Sequence, residues 1–262
     1  GLYIIGSTGQ GPALPLETRR TLCERICKTN NNRLPVMVHV GTISPYDAVD
    51  LAKHAADCGA DAISSVPPIY FPVDVDLTFK HYHMIAGATE LPFMPYHTGF
   101  ANIALPPVEE YARLLKEVPH FAGVKLTEAN FVFFTLLREH LGDDYVLFSG
   151  FDEMSGQAVI SGSDGALGSW MNLFGPAFKK VDTELRAGNI KLAHSFTRVF
   201  CREIVPIMGI RASFMALMHH GMKLKYGIDL GAGRSPFHIG DVTFTDEQVH
   251  HICDAINEAA EL

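Results

Sequence analysis

Lysine is among the side chains that a protein interior tolerates least, yet Lys125 stands inside the apolar run Phe121-Ala122-Gly123-Val124-Lys125-Leu126-Thr127. If that run is an interior strand, the lysine falls at its C-terminal end, where parallel α/β folds keep their working residues. Burial there disfavours the ammonium and leaves an amine that can attack a carbonyl and form a Schiff base. The competing reading is a strand-end lysine whose head reaches solvent. Tyr96 ends the preceding run, Leu91-Pro92-Phe93-Met94-Pro95-Tyr96-His97, and is expected beside Lys125 across the sheet. Its phenol is either a proton relay for a carbinolamine or a packed aromatic with a satisfied hydroxyl. His97 points to the opposite face by the two-residue alternation of a strand, which makes it structural.

Other strand ends carry hydroxyls and carboxylates. Gly6-Ser7-Thr8-Gly9-Gln10 is either a plain turn or a cradle of backbone N–H groups and two hydroxyls for an anion. The lysine of a nucleotide-binding P-loop is missing, since Gln10-Gly11-Pro12-Ala13 follows. In Phe148-Ser149-Gly150-Phe151-Asp152-Glu153 two carboxylates follow a turn. Adjacent helical residues diverge by about 100°, which is awkward for a catalytic dyad. Placement at a helix N-terminus is the default, and acceptance of sugar hydroxyls is the functional rival. Asp164-Gly165-Ala166-Leu167-Gly168-Ser169 supplies a further hydroxyl. Cys23 and Cys27, four apart on a predicted helix, could make half of a metal site. No matching Cys or His pair stands near them in the sequence, so they read as two partly buried thiols and no metal ligand is assigned.

The elements that must position these residues alternate. Strands are predicted at Leu2–Gly6, Val36–Gly41, Ala62–Val66, Phe93–His97, Gly123–Leu126, Tyr145–Ser149 and Ala166–Ser169. Helices are predicted between them at Leu16–Thr29, Pro45–Cys58, Val75–Ala88, Pro107–Val118, Phe131–Leu141, Asp152–Ile160 and Phe174–Ala187. Ser44 before Pro45 is a helix start, and Gly59 and Gly188 are helix stops. Helical stretches at Leu192–Val205, Ser213–Lys225 and Asp246–Ala260 close the chain. This is the pattern of βαβ units around a parallel sheet. The expected partition is a β/α barrel over 1–188 and a helical extension over 189–262. Seven strands are one short of a closed barrel, so the first β-α unit is expected to be missing from the numbered chain.

The 262 residues are 47% hydrophobic and 19% charged, enough to bury a full core and too apolar for a disordered chain. With 21 Lys and Arg against 29 Asp and Glu, no basic surplus exists to hold a phosphate backbone, and nucleic acid is not expected as a partner. No run approaches the ~18 apolar residues of a membrane span; the densest, Phe131 to Leu137, stops at Arg138. No secretory signal is recognisable at the start. Five scattered cysteines, Cys23, Cys27, Cys58, Cys201 and Cys253, suit a reducing compartment, read as the cytoplasm.

Taken together, the Gly-Ser-Thr-Gly turn, Val66-Pro67-Pro68-Ile69-Tyr70, Tyr96, Gly123-Val124-Lys125-Leu126-Thr127 and the segment ending at Ser169 resemble the pyruvate-dependent class I aldolase superfamily of N-acetylneuraminate lyase and dihydrodipicolinate synthase. The resemblance runs over essentially the whole chain. It implies an eight-stranded β/α barrel in which Lys125 forms the Schiff base with a 2-oxo acid, Tyr96 shuttles protons, and Ser7 and Thr8 hold the pyruvate carboxylate. It further implies that Tyr70 lies in or beside a neighbouring subunit's site within a homotetramer, and that neither metal nor added cofactor is needed.

Within the superfamily, synthases typically carry an arginine five residues after the shuttle tyrosine, where this chain has Ala101. Lyases of the neuraminate type carry a Gly-aromatic-Asp-Glu turn, similar to Gly150-Phe151-Asp152-Glu153, with a threonine matched by Thr127 and a serine matched by Ser169. The resemblance therefore implies carbon–carbon cleavage of a polyhydroxylated 2-oxo acid, such as N-acetylneuraminate, to pyruvate and an aldehyde sugar. A 2-oxo-3-deoxy sugar acid aldolase, a synthase-like enzyme and an idle 2-oxo-acid-binding barrel are the alternatives. Departures from the family pattern are His97-Thr98-Gly99 after the shuttle tyrosine, Gln10 in place of a glutamate, and Trp170, which either reshapes the pocket floor or belongs to the core.

Overall fold

The runs Val36–His39 and Gly123–Thr127 are buried at every position, as strands covered on both faces must be, and both are parallel β-strands. The computed structural model describes residues 1–70, 73–98, 105–208, 211–231 and 242–262. Its elements are β1 (Leu2–Ile4), α1 (Leu16–Asn30), β2 (Val36–His39), α2 (Pro45–Asp57), β3 (Ala62–Ser65), α3 (Val75–Ala86), β4 (Phe93–Thr98), α4 (Val108–Glu117), β5 (Gly123–Thr127), α5 (Phe131–Leu141) and β6 (Val146–Ser149). After these come α6 (Ser155–Ile160), β7 (Gly165–Ala166), α7 (Met171–Arg186), α8 (Ile190–Met208), α9 (Arg211–Tyr226) and α10 (Asp246–Ala259). The chain forms two compact units, Gly1–Gly150 with Ser161–Asp164, and Phe151–Ile160 with Gly165–Leu262.

In the first unit β1 to β6 pair in parallel and in chain order. Tyr3 lies opposite Met37, His39 opposite Ser64, Ser64 opposite Met94, Tyr96 opposite Lys125 and Thr98 opposite Thr127. Paired residues of a parallel ladder project to the same side, so Tyr3, His39, Ser64, Tyr96, Lys125 and Thr127 share one face. In a flat sheet β1 and β5 would stand roughly 19 Å apart, four interstrand spacings, a gap that two side chains cannot close. Lys125 Nζ nonetheless lies 4.8 Å from the Tyr3 ring centroid. The sheet is therefore curled, with this face on the concave side.

The helices that cover the convex side start where side chains accept from their first turns. Ser44 accepts from Asp47 N at 3.4 Å, Asp74 from Leu77 N at 2.8 Å and Asn130 from Phe133 N at 3.1 Å. Gly59, at φ 77, closes α2 in the left-handed conformation. A buried cation reaches in from α1: Arg19 donates Nη2 to His39 O at 2.8 Å and Nη1 to Gly41 O at 3.0 Å. Desolvation lowers its pKa to about 10, so it remains charged. It thereby fixes the chain as it leaves β2.

The second unit is built on aromatic packing among α7, α8 and α9, with Val249, Ile252 and Ile256 of α10 against it. Trp170 is fully buried, stacked on Phe174 at 6.1 Å and edge-on to Phe214 at 4.9 Å. Phe178, Phe196 and Phe200 continue the same core. Trp170 is thus a core residue of this unit, the second of its two expected roles. Around it the element bounds depart from expectation. β7 has two residues and ends at Ala166, α6 starts at Ser155 instead of Asp152, and Ser169 lies in the turn before α7. The reason is a hydrogen-bonded turn centred on Asp152, described below. Among the described residues, no helix is long and apolar enough to cross a membrane.

Replacing Arg19 by methionine keeps the volume and strands two buried carbonyls. The expected loss is about 3 kcal/mol of stability, read as a lower urea midpoint. An unchanged midpoint would show that the guanidinium does not hold β2.

Candidate active site

Lys125 is 6% exposed, and its Nζ lies 4.0 Å from the Tyr96 ring centroid and 4.8 Å from that of Tyr3. The lysine head is therefore screened from bulk water by two phenol rings, and the reading in which it reaches solvent fails. Tyr96 Oη is 3.0 Å from Thr127 Oγ1, one strand over and two residues beyond the lysine. Burial raises the Tyr96 pKa, while hydrogen bonds from Thr127 and Thr98 act in the opposite direction. At neutral pH Tyr96 is a protonated phenol held by a threonine, able to give a proton and take one back.

Gly150 follows β6 and donates its N–H to Leu126 O at 2.6 Å. A Cβ here would overlap Thr127 Oγ1 and stand 3.1 Å from Lys125 Cε. Only glycine lets the chain approach the lysine so closely. The turn after β1 is also tight. Gly11 N donates to Gly6 O at 3.0 Å and Gln10 N to Ser7 O at 3.1 Å. A Cβ on Gly11 would overlap the Ile5 carbonyl. Ile5, a β-branched residue, is held at φ 61, a conformation that costs about 1–3 kcal/mol and that the surrounding turn enforces. Ser7 is exposed and Thr8 half-buried on this turn.

Three further polar residues share the concave face without having been singled out in the sequence. Tyr3 Oη is 3.3 Å from Ser64 Oγ, and burial pushes its phenol well above its ordinary value. The His39 ring meets Tyr3 edge-on at 6.3 Å, and its Nε2 accepts from Val66 N at 3.4 Å. Desolvation first, then the charges of Arg19 and Lys125, lower the His39 pKa to about 3, so the ring is neutral. The signal that could have found them is the one that found Lys125: a polar side chain inside a short apolar strand. His97, by contrast, faces outward against Tyr111 and Phe133, with Nε2 3.7 Å from Glu128 Oε2. Its structural role follows as expected.

In the second unit Asp152 is buried, accepting at Oδ2 from Ser169 N (2.8 Å) and at Oδ1 from Trp170 N (3.2 Å). The carboxylate pins the turn leading into α7, and a Cβ on Gly168 would overlap it. Glu153 Oε2 is buried without a hydrogen-bond partner among the described residues. Tyr70 is 72% exposed. Gly99 and Ala101 lie outside the described residues.

Two predictions follow from this geometry. Gly150→Ala displaces Thr127 and Lys125 and is expected to lower kcat at least tenfold while the fold, followed by circular dichroism, persists; unchanged kcat would show that the close approach is immaterial. The pH dependence has a definite sign. His39 is lowered to about 3 and His81, buried mainly at desolvation cost, to about 4, against an ordinary 6.5. As pH falls, the unfolded chain takes up these protons first. Their stabilising contribution is full above pH 6.5 and is lost on acidification towards 4 for His81 and 3 for His39. The slope is about 1.4 kcal/mol per pH unit per histidine. Denaturant midpoints measured from pH 7 down to 5 should fall, and a flat profile would contradict the burial of both rings as neutral groups.

Comparison with known proteins gives a consistent set of relatives. A model of the dihydrodipicolinate synthetase family matches residues 1–253. An N-acetylneuraminate lyase of Mediterraneibacter gnavus is 28% identical over 261 residues, covering 97% of this chain and 82% of that protein. The wild-type sialic acid aldolase of Ruminococcus gnavus superposes with a TM-score of 0.90 at 25% identity, over 100% of this chain and 86% of the other. CdNal of Clostridium difficile, solved in complex with mannosamine, gives 0.85 at 26% identity, over 99% and 86%.

Proposed function

The chain belongs to the dihydrodipicolinate synthetase family, and we propose that within it the chain is a Schiff-base lyase of the neuraminate type, cleaving a polyhydroxylated 2-oxo acid such as N-acetylneuraminate to pyruvate and an aldehyde sugar. The observation that carries this reading is the Lys125 amine, 6% exposed at the end of β5, with the Tyr96 ring 4.0 Å away. Ordered parallel strands with a helix after each support a (β/α)8 scaffold, in which strand ends of this kind gather the working groups. The lyase and aldolase relatives above support the choice of reaction.

The Lys125 amine adds to the C2 carbonyl of the substrate, and Tyr96 gives its proton to the carbinolamine hydroxyl, which leaves as water, so that an iminium and a Tyr96 phenolate remain. As the C3–C4 bond breaks, its electron pair moves into the iminium to give an enamine, and the C4 hydroxyl gives its proton to the Tyr96 phenolate as the aldehyde departs. The enamine then takes a proton at C3, and hydrolysis of the resulting iminium frees pyruvate and the amine. Thr127 orients the Tyr96 hydroxyl for both transfers. Ser7 and Thr8, on the strained turn after β1, hold the carboxylate. In the second unit each Asp152 oxygen accepts one backbone amide and keeps a further lone pair, and Asp152, Glu153 and Ser169 are assigned to hydroxyl recognition, with Asp152 also setting the Ser169 turn. The exposed Tyr70 is assigned to a subunit contact in a homotetramer.

Intact mass after incubation with pyruvate and borohydride, followed by peptide mapping, tests the reading. A reduced adduct is expected on Lys125 and on no other lysine, absent in Lys125→Ala. Tyr96→Phe should retain the adduct while turnover of N-acetylneuraminate drops ~10²–10⁴-fold. Folded protein without an adduct at Lys125 would leave the idle binding barrel as the better account.

A further inference from the structure

Cys23 and Cys27 lack a matching pair in the sequence around them, but the fold supplies one. The i,i+4 pair on α1 meets a second i,i+4 pair, His54 on α2 and Cys58 at its C-cap. One ligand atom each from Cys23, His54 and Cys58 lies within 4.8 Å of the others. Cys23 is buried and hydrogen-bonds to both Cys58 and Cys27. His54 sits between a carboxylate and a thiol: its Nε2 is 3.0 Å from Glu24 Oε1, and Cys58 Sγ lies 3.7 Å from its Nδ1 and 3.8 Å from its Nε2. Metal–sulfur and metal–nitrogen bonds of about 2.3 and 2.0 Å at tetrahedral angles put neighbouring S and N atoms ~3.6 Å apart. The observed spacing is that of an edge of such a site.

We propose that Cys23, Cys27, His54 and Cys58 bind one zinc ion tetrahedrally and tie α1 to α2. Cys27, one turn beyond Cys23, takes the fourth corner by a rotation about χ1. His54 coordinates through Nδ1 while Glu24 accepts the Nε2 hydrogen, the carboxylate–histidine–metal arrangement that fixes a ring's tautomer. Four protein ligands leave no open position, so the metal is structural and takes no part in the lyase reaction. Thiolates are the ligands a zinc ion takes, so each cysteine yields its proton as the metal binds. Arg19 is one helical turn before Cys23 on α1, which couples the site to the helix that secures the end of β2.

The test uses reduced, tag-free, full-length protein stripped with a chelator and re-equilibrated with zinc or cobalt. Expected are one zinc per chain by elemental analysis and, for Co²⁺, the intense visible bands and sulfur-to-metal charge transfer of a tetrahedral thiolate site. Zinc should also raise Tm. Cys58→Ser is expected to weaken binding at least tenfold. Cys27→Ser and His54→Gln, at positions that are likewise only partly buried, report the same loss should Cys58→Ser fold poorly. Glu24→Gln should weaken affinity ~10-fold without changing the Co²⁺ spectrum. Substoichiometric uptake, a weak octahedral Co²⁺ spectrum, or equal uptake by the folded variants would overturn the proposal, as would a reduced protein that forms a Cys23–Cys58 disulfide in air and takes up no metal.

Discussion

A primary amine is useful as a nucleophile only where water is kept away and its neighbours are fixed, and this requirement organises the first unit. Lys125 meets it by lying between the rings of Tyr96 and Tyr3, from strands on either side of a curled sheet. A flat sheet would leave Tyr3 out of reach and the amine open on one flank. Curvature is thus part of the chemistry. It brings the Tyr3 ring on β1 round to the lysine, while one short side chain on β5, Thr127, holds the Tyr96 phenol.

The polar residues around this centre are expensive to bury, and each holds at least one specific contact, while Arg19 Nε and His39 Nδ1 are buried without a hydrogen-bond partner among the described residues. Arg19 satisfies the carbonyls of His39 and Gly41 at the end of β2. His39 stays neutral and takes the N–H of Val66. Ser64 and Tyr3 share a hydrogen bond between their hydroxyls. Such a network rigidifies its members because an unmet donor or acceptor in a low-dielectric interior is costly. The strained backbone at Ile5 belongs to the same pattern, an unfavourable local conformation sustained by a turn closed on Gly11.

Much of this was legible from residue pattern. The strand ending in Lys125, its neighbour ending in Tyr96 and the outward-facing His97 follow from apolar runs and a period of two. What the pattern does not carry is interaction across sequence distance. Tyr3 gains meaning only when the sheet curls, and Asp152 reads as a helix start until the turn at Ser169 and Trp170 folds back onto it. The cysteine pair on α1 is half a motif whose other half lies about one β-α unit later, where only the packing of α1 on α2 reveals it.

The turn held by Asp152 has a consequence for how such a chain can change over generations. Gly168 has no room for a methyl group because the carboxylate occupies the space, and the carboxylate has its partners only because the backbone at 168 comes so close. The two positions are not independent sites of variation. A lineage could acquire a side chain at 168 only after giving up the acid at 152, and the intermediate would leave two amides, including that of the fully buried Trp170, without an acceptor. An adaptive path that widens or reshapes this turn must therefore begin elsewhere, in the sequence around it.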